Sequence, residues 1–324
     1  MLPFCGAPPG LFLTPRERRV SPALEPVNEM IYILEDTING ILMGSIYGLT
    51  ALGLTIIFGV LKVINFAHGS LLMVAMYVTY WAVVLTGLHP YLALFIVVPV
   101  MFLFGYYLQD VVIKPIFKAE KEVREPITVI IVTTGVWYIL DNLTLLIFGP
   151  QYRNIQDNPL RGKMLELGDM LISVPKLWGF CAAIITAAAV YLFFQKTRLG
   201  RAIRATSLDR DAASLMGINQ YKIYNVAFGI GTAVAGIAAV TLVPFYNVFP
   251  TVGVLFDIKG FIIVVLGGLG SIGGAILGGI IVGLIESIGP QFMTATWTEA
   301  IVYGLFLLVL FVKPSGLFGM KYDW

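Results

Sequence analysis

Residues 63–109 read VINFAHGSLLMVAMYVTYWAVVLTGLHPYLALFIVVPVMFLFGYYLQ and contain no Lys, Arg, Asp or Glu. A helix crossing the hydrocarbon core of a bilayer needs about 20 mostly apolar residues, so this stretch is long enough for two. Pro90, beside His89 and close to Gly87, is the natural break between them. Four further windows carry no formal charge: 37–61, 177–195, 223–256 and 260–285. Two weaker windows follow the same logic. Residues 127–149 are apolar except for Asp141 and Asn142, and 298–312 are apolar after Glu299. The pattern predicts spans near 38–61, 65–86, 91–113, 127–149, 175–195, 222–246, 258–287 and 298–312. Lipid offers no hydrogen-bond partners, so each segment must satisfy its own backbone. A barrel strand would alternate in polarity over roughly ten residues, and Leu92–Val100 and Cys181–Phe194 do not. The expected fold class is all-α: a polytopic membrane protein of about eight or nine transmembrane helices.

Composition agrees. Of 324 residues, 58% are hydrophobic and 12% charged, against about 45–50% and about 25% in a soluble domain. Mean hydropathy is +0.87. Twenty-one Lys+Arg and 19 Asp+Glu give +2. That balance excludes a disordered chain and a basic nucleic-acid binder. Two cysteines, Cys5 and Cys181, exclude a disulfide framework and a multi-cysteine metal site. Two distant histidines and no clustered acids argue against an intramembrane enzyme and against a metal centre. No G-x-x-x-x-G-K-[ST] occurs, since Gly162-Lys163 is followed by Met164, so the chain is not expected to bind ATP through a P-loop. Gly268-Leu269-Gly270-Ser271-Ile272-Gly273 fits G-x-G-x-x-G, but it lies in a charge-free window rather than a βαβ unit. No cofactor is expected.

Orientation follows the Lys/Arg content of the short loops. Loop 196–222 holds Lys196, Arg198, Arg201, Arg204, Arg210 and Lys222, and loop 114–126 holds Lys114, Lys118, Lys121 and Arg124. Both are expected in the cytoplasm, as is Lys62. Loop 150–174 then falls outside despite Arg153, Arg161 and Lys163. Lys313 and Lys321 ask for a cytoplasmic C-terminus, which requires an odd number of spans. Residues 258–289 then become two membrane elements broken at Gly267–Gly274. Residues 1–29, interrupted by six prolines, read as a disordered extension, or as upstream sequence with Met30 the true start. The membrane domain is 30–324.

Gly40, Gly44 and Gly48 recur every fourth residue, as do Gly270, Gly274 and Gly278, and Gly279 with Gly283. That spacing lines them on one helix face for close packing. The break near Gly268 and Gly270 also offers backbone groups to a transport pathway, as unwound helices commonly do. Intramembrane ionisable groups are costly, at about 2.5–3.5 kcal/mol for an Asp, Lys or Arg at a helix centre. His68, Asp141, Lys259 and Glu286 are the candidates. Asn65 and His68 share a face at i, i+3. Asn65, His68, Asp141, Asn142, Gly268 and Gly270 form the candidate pathway set. Lys259 and Glu286, near opposite ends of the predicted seventh span, read as interfacial or structural.

Residues 209–217 of the loop 196–221 predict a short cytoplasmic helix. Asp209 or Asp211 with Ala212 and Ala213 makes a good start, Gly217 a plausible stop, and Leu215 and Met216 stand out as apolar knobs. Small faces and arginines suit a docking helix. Asp211-Ala212-Ala213-x-x-x-Gly217 resembles the Glu-Ala-Ala-x-x-x-Gly coupling motif of ABC importer permeases. Gly48-Leu49 with Ala51-x-Gly53-Leu54, then Asn65-Phe66-Ala67-His68-Gly69, resemble the first two spans of LivH-type branched-chain amino-acid permeases. Arg201-Ala-x-Arg204-Ala, Leu215-Met-Gly-Ile-Asn219, Gly267-Gly-Leu-Gly-Ser-Ile-Gly-Gly-Ala275 and the tail Lys313-Pro-Ser-Gly-Leu-Phe-Gly319 continue the likeness in order, over about 31–320. The resemblance implies a non-catalytic inner-membrane permease subunit of a binding-protein-dependent importer. It implies a second homologous permease subunit, two cytoplasmic ATP-binding subunits and a periplasmic or lipid-anchored solute-binding protein. It also implies coupling through Arg201, Arg204, Asp209, Asp211, Ala212, Ala213 and Gly217. Two positions depart from the family's pattern: Ser70 stands where an acidic residue commonly follows His-Gly, and Asp141-Asn142 where Gln-Asn is usual. The cargo is therefore a branched-chain amino acid or a related small polar solute. The second reading is a self-contained secondary transporter or channel, for which Asp141 is the deep carboxylate.

Overall fold

The computed structural model describes residues 26–119, 127–155, 162–167 and 170–319. Among these, eight helices are long and apolar enough to cross a membrane. They follow the charge-free windows because a charge in lipid is costly. The first is α1 (Pro26–Leu61), followed by α2 (His68–Thr86). A continuous span over Pro90–Ala119 opens with a 3-10 turn at Pro90–Ala93. It runs through α3 (Leu94–Leu108), relaxes into a π turn at Gln109–Ile113 and ends in α4 (Lys114–Ala119). Next come α5 (Ile127–Phe148), α6 (Val174–Lys196) and the short pair α7 (Arg198–Leu208) and α8 (Arg210–Leu215). The last four helices are α9 (Gln220–Leu242), α10 (Val252–Gly267), α11 (Ile272–Phe292) and α12 (Ala295–Val312).

The expected boundary at residue 30 falls inside α1, because residues 26–29 continue that helix; residues 1–25 lie outside the described residues. Lys121, Arg124, Arg161 and Lys321 lie outside them too. Of the two expectations for this region, one element over 258–287 or two broken at Gly267–Gly274, the structure shows the second. Gly268 and Gly270, at φ +105 and +85, reverse the chain between α10 and α11. The first of these has only 16 residues, or about 24 Å of helix. It is therefore a ninth, short membrane element. A small antiparallel hairpin, β1 (Met164–Leu167) and β2 (Met170–Ser173), lies in the loop before α6 of this all-α bundle.

The glycine rows set the packing. An added Cβ at Gly40 would meet the Gly283 carbonyl at 3.0 Å, one at Gly44 the Gly279 carbonyl at 2.6 Å, and one at Gly48 the Ile276 Cα at 2.8 Å. The two helices α1 and α11 thus run antiparallel with their backbones almost touching, as small residues allow. Helices α1 and α9 are buried along most of their length, and the core gathers around Ile46, Leu49, Leu52, Met73, Met76, Met101 and Phe228. Helices α5 and α12 are at the rim, with faces such as Ile131, Leu146, Leu308 and Phe311 left exposed. In a bilayer that exposure faces lipid tails.

Two ends of the bundle are distinct. Gln291 of α11 donates to Asp36 of α1, Lys176 Nζ donates to Asn39 at 3.5 Å, and Arg153 pairs with Val248 as an isolated bridge. The other end collects Lys62, α7, α8, the Gly268–Ser271 turn and the tail. The amides of Leu317 and Phe318 donate to the Leu266 and Gly267 carbonyls at 2.9 and 3.1 Å, strapping the tail over that turn. The positive-inside rule makes this second end cytoplasmic. The tail's lysine signal and the span count therefore agree once the α10–α11 turn is counted. Arg153, the dissonant charge outside, stacks among Tyr80, Trp81 and Phe148 with its Cζ 5.6–5.9 Å from their ring centroids.

Candidate functional site

The N-terminus of α2 brings most of the polar pathway candidates together. Asn65 lies just before the helix; its Oδ1 accepts from the Ala67 amide at 3.1 Å and its backbone carbonyl from the His68 amide at 3.3 Å. Its side-chain Nδ2 is buried without a partner. His68 is buried, and its Nε2 lies 3.0 Å from the Thr50 carbonyl of α1. A carbonyl only accepts, so Nε2 carries the proton and Nδ1 is a free acceptor. That imidazole occupies the space left by Gly53, whose added Cβ would meet it at 3.0 Å. His68 thus bonds a neighbouring helix.

Ser70 and Asp141 meet. The Ser70 hydroxyl donates to Asp141 Oδ1 at 2.6 Å, and Trp137 Nε1 donates to Oδ2 at 2.8 Å. The two positions that depart from the family pattern are one hydrogen-bonded pair. Asn142 does not join them. It lies on the outward face of α5, and its Nδ2 donates back to the Tyr138 carbonyl at 2.7 Å.

Asp257 of α10 is a site residue that sequence reasoning missed. It falls in the short gap between the charge-free windows 223–256 and 260–285. An added Cβ at Gly69 would meet the Asp257 Cβ at 2.8 Å, so Asp257 sits against the first turn of α2. Asn65, Trp137 and Asp257 line a cavity of about 320 Å³ whose remaining wall is apolar, including Leu54, Phe66 and Tyr303. The cavity surface is almost wholly apolar, with Asn65 and Asp257 at its edge.

Lys259 and Glu286 are not at opposite ends of one element. The α10–α11 turn folds them together, with Lys259 Nζ 2.7 and 2.9 Å from the two Glu286 oxygens and 4.8 Å above the Tyr47 ring. Gly268 and Gly270 lie away from the α2 cluster, at the cytoplasmic turn. There Gly270 approaches Gly59, and Gly268 leaves no room for a Cβ beside Gly319.

The coupling candidates form a compact unit at the same end. Thr197 caps α7, its Oγ1 accepting from the Gly200 amide at 2.9 Å. Asp209 caps α8, its Oδ1 accepting from the Asp211 and Ala212 amides at 2.9 and 3.0 Å. Gly217, at φ +81, ends α8, with the Ile218 amide returning to the Ala213 carbonyl at 3.1 Å. Arg204 Nη1 donates to Gln195 at 2.9 Å. Ala213 is buried, whereas Arg201, Asp209, Asp211 and Ala212 are exposed. Leu208, at the end of α7, and Leu215 and Met216, at the end of α8, are 74%, 89% and 83% exposed.

Among the described residues, eight membrane-length helices and the shorter α10, with a charged helix pair at the cytoplasmic end, define a polytopic membrane protein. The family described as "Branched-chain amino acid transport system / permease component" matches residues 37–310, and the chain belongs to it. It is 32% identical over 308 residues to the high-affinity branched-chain amino acid transport system permease protein BraD of Pseudomonas aeruginosa, covering 90% of this chain and 97% of that one. It is 30% identical to LivH of Escherichia coli K12, with the same two coverages. A more distant likeness, 28% over 153 residues and 45% of each chain, is to the fructose import permease protein FruG of Bifidobacterium longum. The chain is a multi-pass permease subunit of the inner membrane, of the ABC-importer kind.

Proposed function

We propose that this chain is a translocation half of a binding-protein-dependent importer for branched-chain amino acids or a closely related small solute. It hydrolyses no nucleotide and needs no cofactor. ATP is consumed by two cytoplasmic ATP-binding subunits, which seat against α7 and α8. A second homologous permease subunit completes the pathway, and a solute-binding protein delivers cargo from outside. The observation that carries the reading is the exposed cap of Leu208, Leu215 and Met216 on a doubly capped, arginine-flanked helix pair. Left open to water, such a patch is a liability; covered by a partner it transmits force.

Solute passes the α2 cluster, where Asn65, Asp141 and Asp257 supply polar contacts at membrane depth and His68 holds α2 to α1. The relatives named for branched-chain amino acids support that cargo. So does an apolar cavity with one carboxylate and one amide on its wall, which suits an ammonium and a carboxylate on an apolar side chain. The fructose permease widens the class to other small polar solutes. The test is purification of the chain from native membrane and identification of what accompanies it. ATP-binding subunits, a second permease chain and a solute-binding protein are expected. Solute transport by the chain alone, without nucleotide, would overturn the reading in favour of a self-contained carrier.

A further inference from the structure

The cytoplasmic end holds a second cavity of about 320 Å³, between α1, α7 and the α10–α11 turn. Thr55 and Gly59 of α1 form one wall, Gln195 and Arg204 the second, and the α10–α11 turn with Phe318 of the tail strap the third.

Three observations describe what it would hold. Its charged lining residues are Lys62 and Arg204, with no acid among the described residues that line it. Arg204 spends one donor on Gln195, of the five a guanidinium carries. Lys62 also lines the adjoining cavity with Asp209 and Asp211. Next, the 21-residue helix α11 begins here. Ser271 Oγ accepts from the Gly274 amide at 3.1 Å, which leaves the first-turn amides of Ile272 and Gly273 without intrahelical acceptors. Open space lies beside Gly273, where an added Cβ meets nothing within 4 Å. Finally, Thr55 is 1% exposed, yet its hydroxyl has no partner. Thr50 in the same helix folds its hydroxyl onto the Tyr47 carbonyl at 2.7 Å, and Thr206 in α7 onto Ala202 at 2.9 Å. A buried hydroxyl left unbonded costs free energy that a ligand would recover.

Clustered N–H donors, two cations, a helix N-terminus and an unsatisfied hydroxyl fit one chemistry. We propose that this cavity binds a phosphate group. Its position favours a phospholipid headgroup. The cavity lies where α1 and α6 end, and Tyr191, 53% exposed, lines it beside Phe194. Acyl chains would thus run along an apolar face while the headgroup meets the arginine, and basic pockets between spans on the cytoplasmic side hold anionic headgroups in this way. A phosphate seated there ties α1, α7 and the α10–α11 turn together, making the coupling end dependent on anionic lipid. This site stands apart from the cargo reading and survives if that reading fails.

The test follows thermal unfolding of the purified full chain in detergent. One arm titrates dihexanoyl phosphatidylglycerol, with dihexanoyl phosphatidylcholine as the zwitterionic control. The other titrates sodium phosphate against sodium chloride at equal ionic strength. A ligand that binds only the folded chain raises the midpoint saturably. Saturable stabilisation by phosphatidylglycerol is expected. Arg204→Gln should weaken it about tenfold or more, as loss of a charge-assisted hydrogen bond does. Thr55→Val should weaken it several-fold while leaving the ligand-free chain no less stable, since it removes only an unpartnered hydroxyl. Saturation by inorganic phosphate and not by the lipid would support the site and assign it a free phosphate. Stabilisation by neither ligand, or stabilisation that both substitutions leave unmoved, would overturn the proposal.

Discussion

Gly44→Ala puts one methyl group between α1 and α11. The new Cβ would stand 2.6 Å from the Gly279 carbonyl oxygen, 2.7 Å from the Ile280 Cα and 3.1 Å from the Gly279 carbonyl carbon. Carbon atoms rest about 3.5–4.0 Å apart, so the shortfall is about 1 Å. Every crowded atom belongs to backbone, and no rotamer relieves the clash. The helices must separate, and a gap of 0.5–1 Å forfeits roughly a quarter to a half of each dispersion contact it opens. Overpacking of this kind costs about 1–3 kcal/mol. Rigid neighbours on both sides of the shared Gly40, Gly44, Gly279 and Gly283 row put Gly44→Ala at the upper end, about 3 kcal/mol, or about a 100-fold fall in the folded-to-unfolded ratio. Equilibrium unfolding in mixed detergent micelles, followed by circular dichroism, measures it. Gly304→Ala on α12, where an added Cβ meets nothing within 4 Å, is the control and should change stability by less than about 0.5 kcal/mol. Wild-type stability in Gly44→Ala would refute the close antiparallel contact of α1 and α11.

Asp141→Asn, which alters the acceptor bonded by Ser70 and Trp137, should lower uptake or shift solute preference in the reconstituted importer; unchanged kinetics with every solute tried would reject a pathway role. Lys259→Met strands the Glu286 carboxylate and should cost about 3 kcal/mol, whereas Lys259→Met with Glu286→Met should recover much of that loss, as read by the same unfolding measurement. Asp209→Ala removes the cap of α8, worth about 1 kcal/mol of local helix stability. Gly217→Ala imposes a left-handed strain of about 1–2 kcal/mol at a position with open space around it. Both should reduce transport while membrane insertion, checked by fractionation, stays normal.

The membrane spans are legible because charge is excluded from lipid, so gaps between charges mark the helices directly. Three features were not legible as they stand in the structure. Lys259 and Glu286 read as opposite ends of one span until Gly268 and Gly270 fold α10 against α11. Asp257 was passed over between two windows, although an acid two residues from Lys259 in an otherwise apolar region was a visible signal. Met164–Leu167 and Met170–Ser173 flank Gly168-Asp169 in a short extracytoplasmic loop, a hairpin pattern obscured by the search for long apolar runs. At the site, the sequence named Asn65, His68 and Asp141 separately. Only packing of α2 against α5 and α10 shows that Ser70 and Asp141 bond each other and that Asn142 faces away. The cap residue Asp209 and the stop Gly217 were readable because helix ends are set by local chemistry.

If α7 and α8 carry force from an ATP-hydrolysing partner, Ala212→Arg should break the linkage. Ala212 is exposed, so the larger side chain is compatible with the fold of the subunit but not with a closely seated partner. Measured in the purified, reconstituted complex, solute-stimulated ATP hydrolysis and uptake should both be lost while the chain remains inserted. Undiminished stimulation with normal uptake in the Ala212→Arg complex would contradict the account.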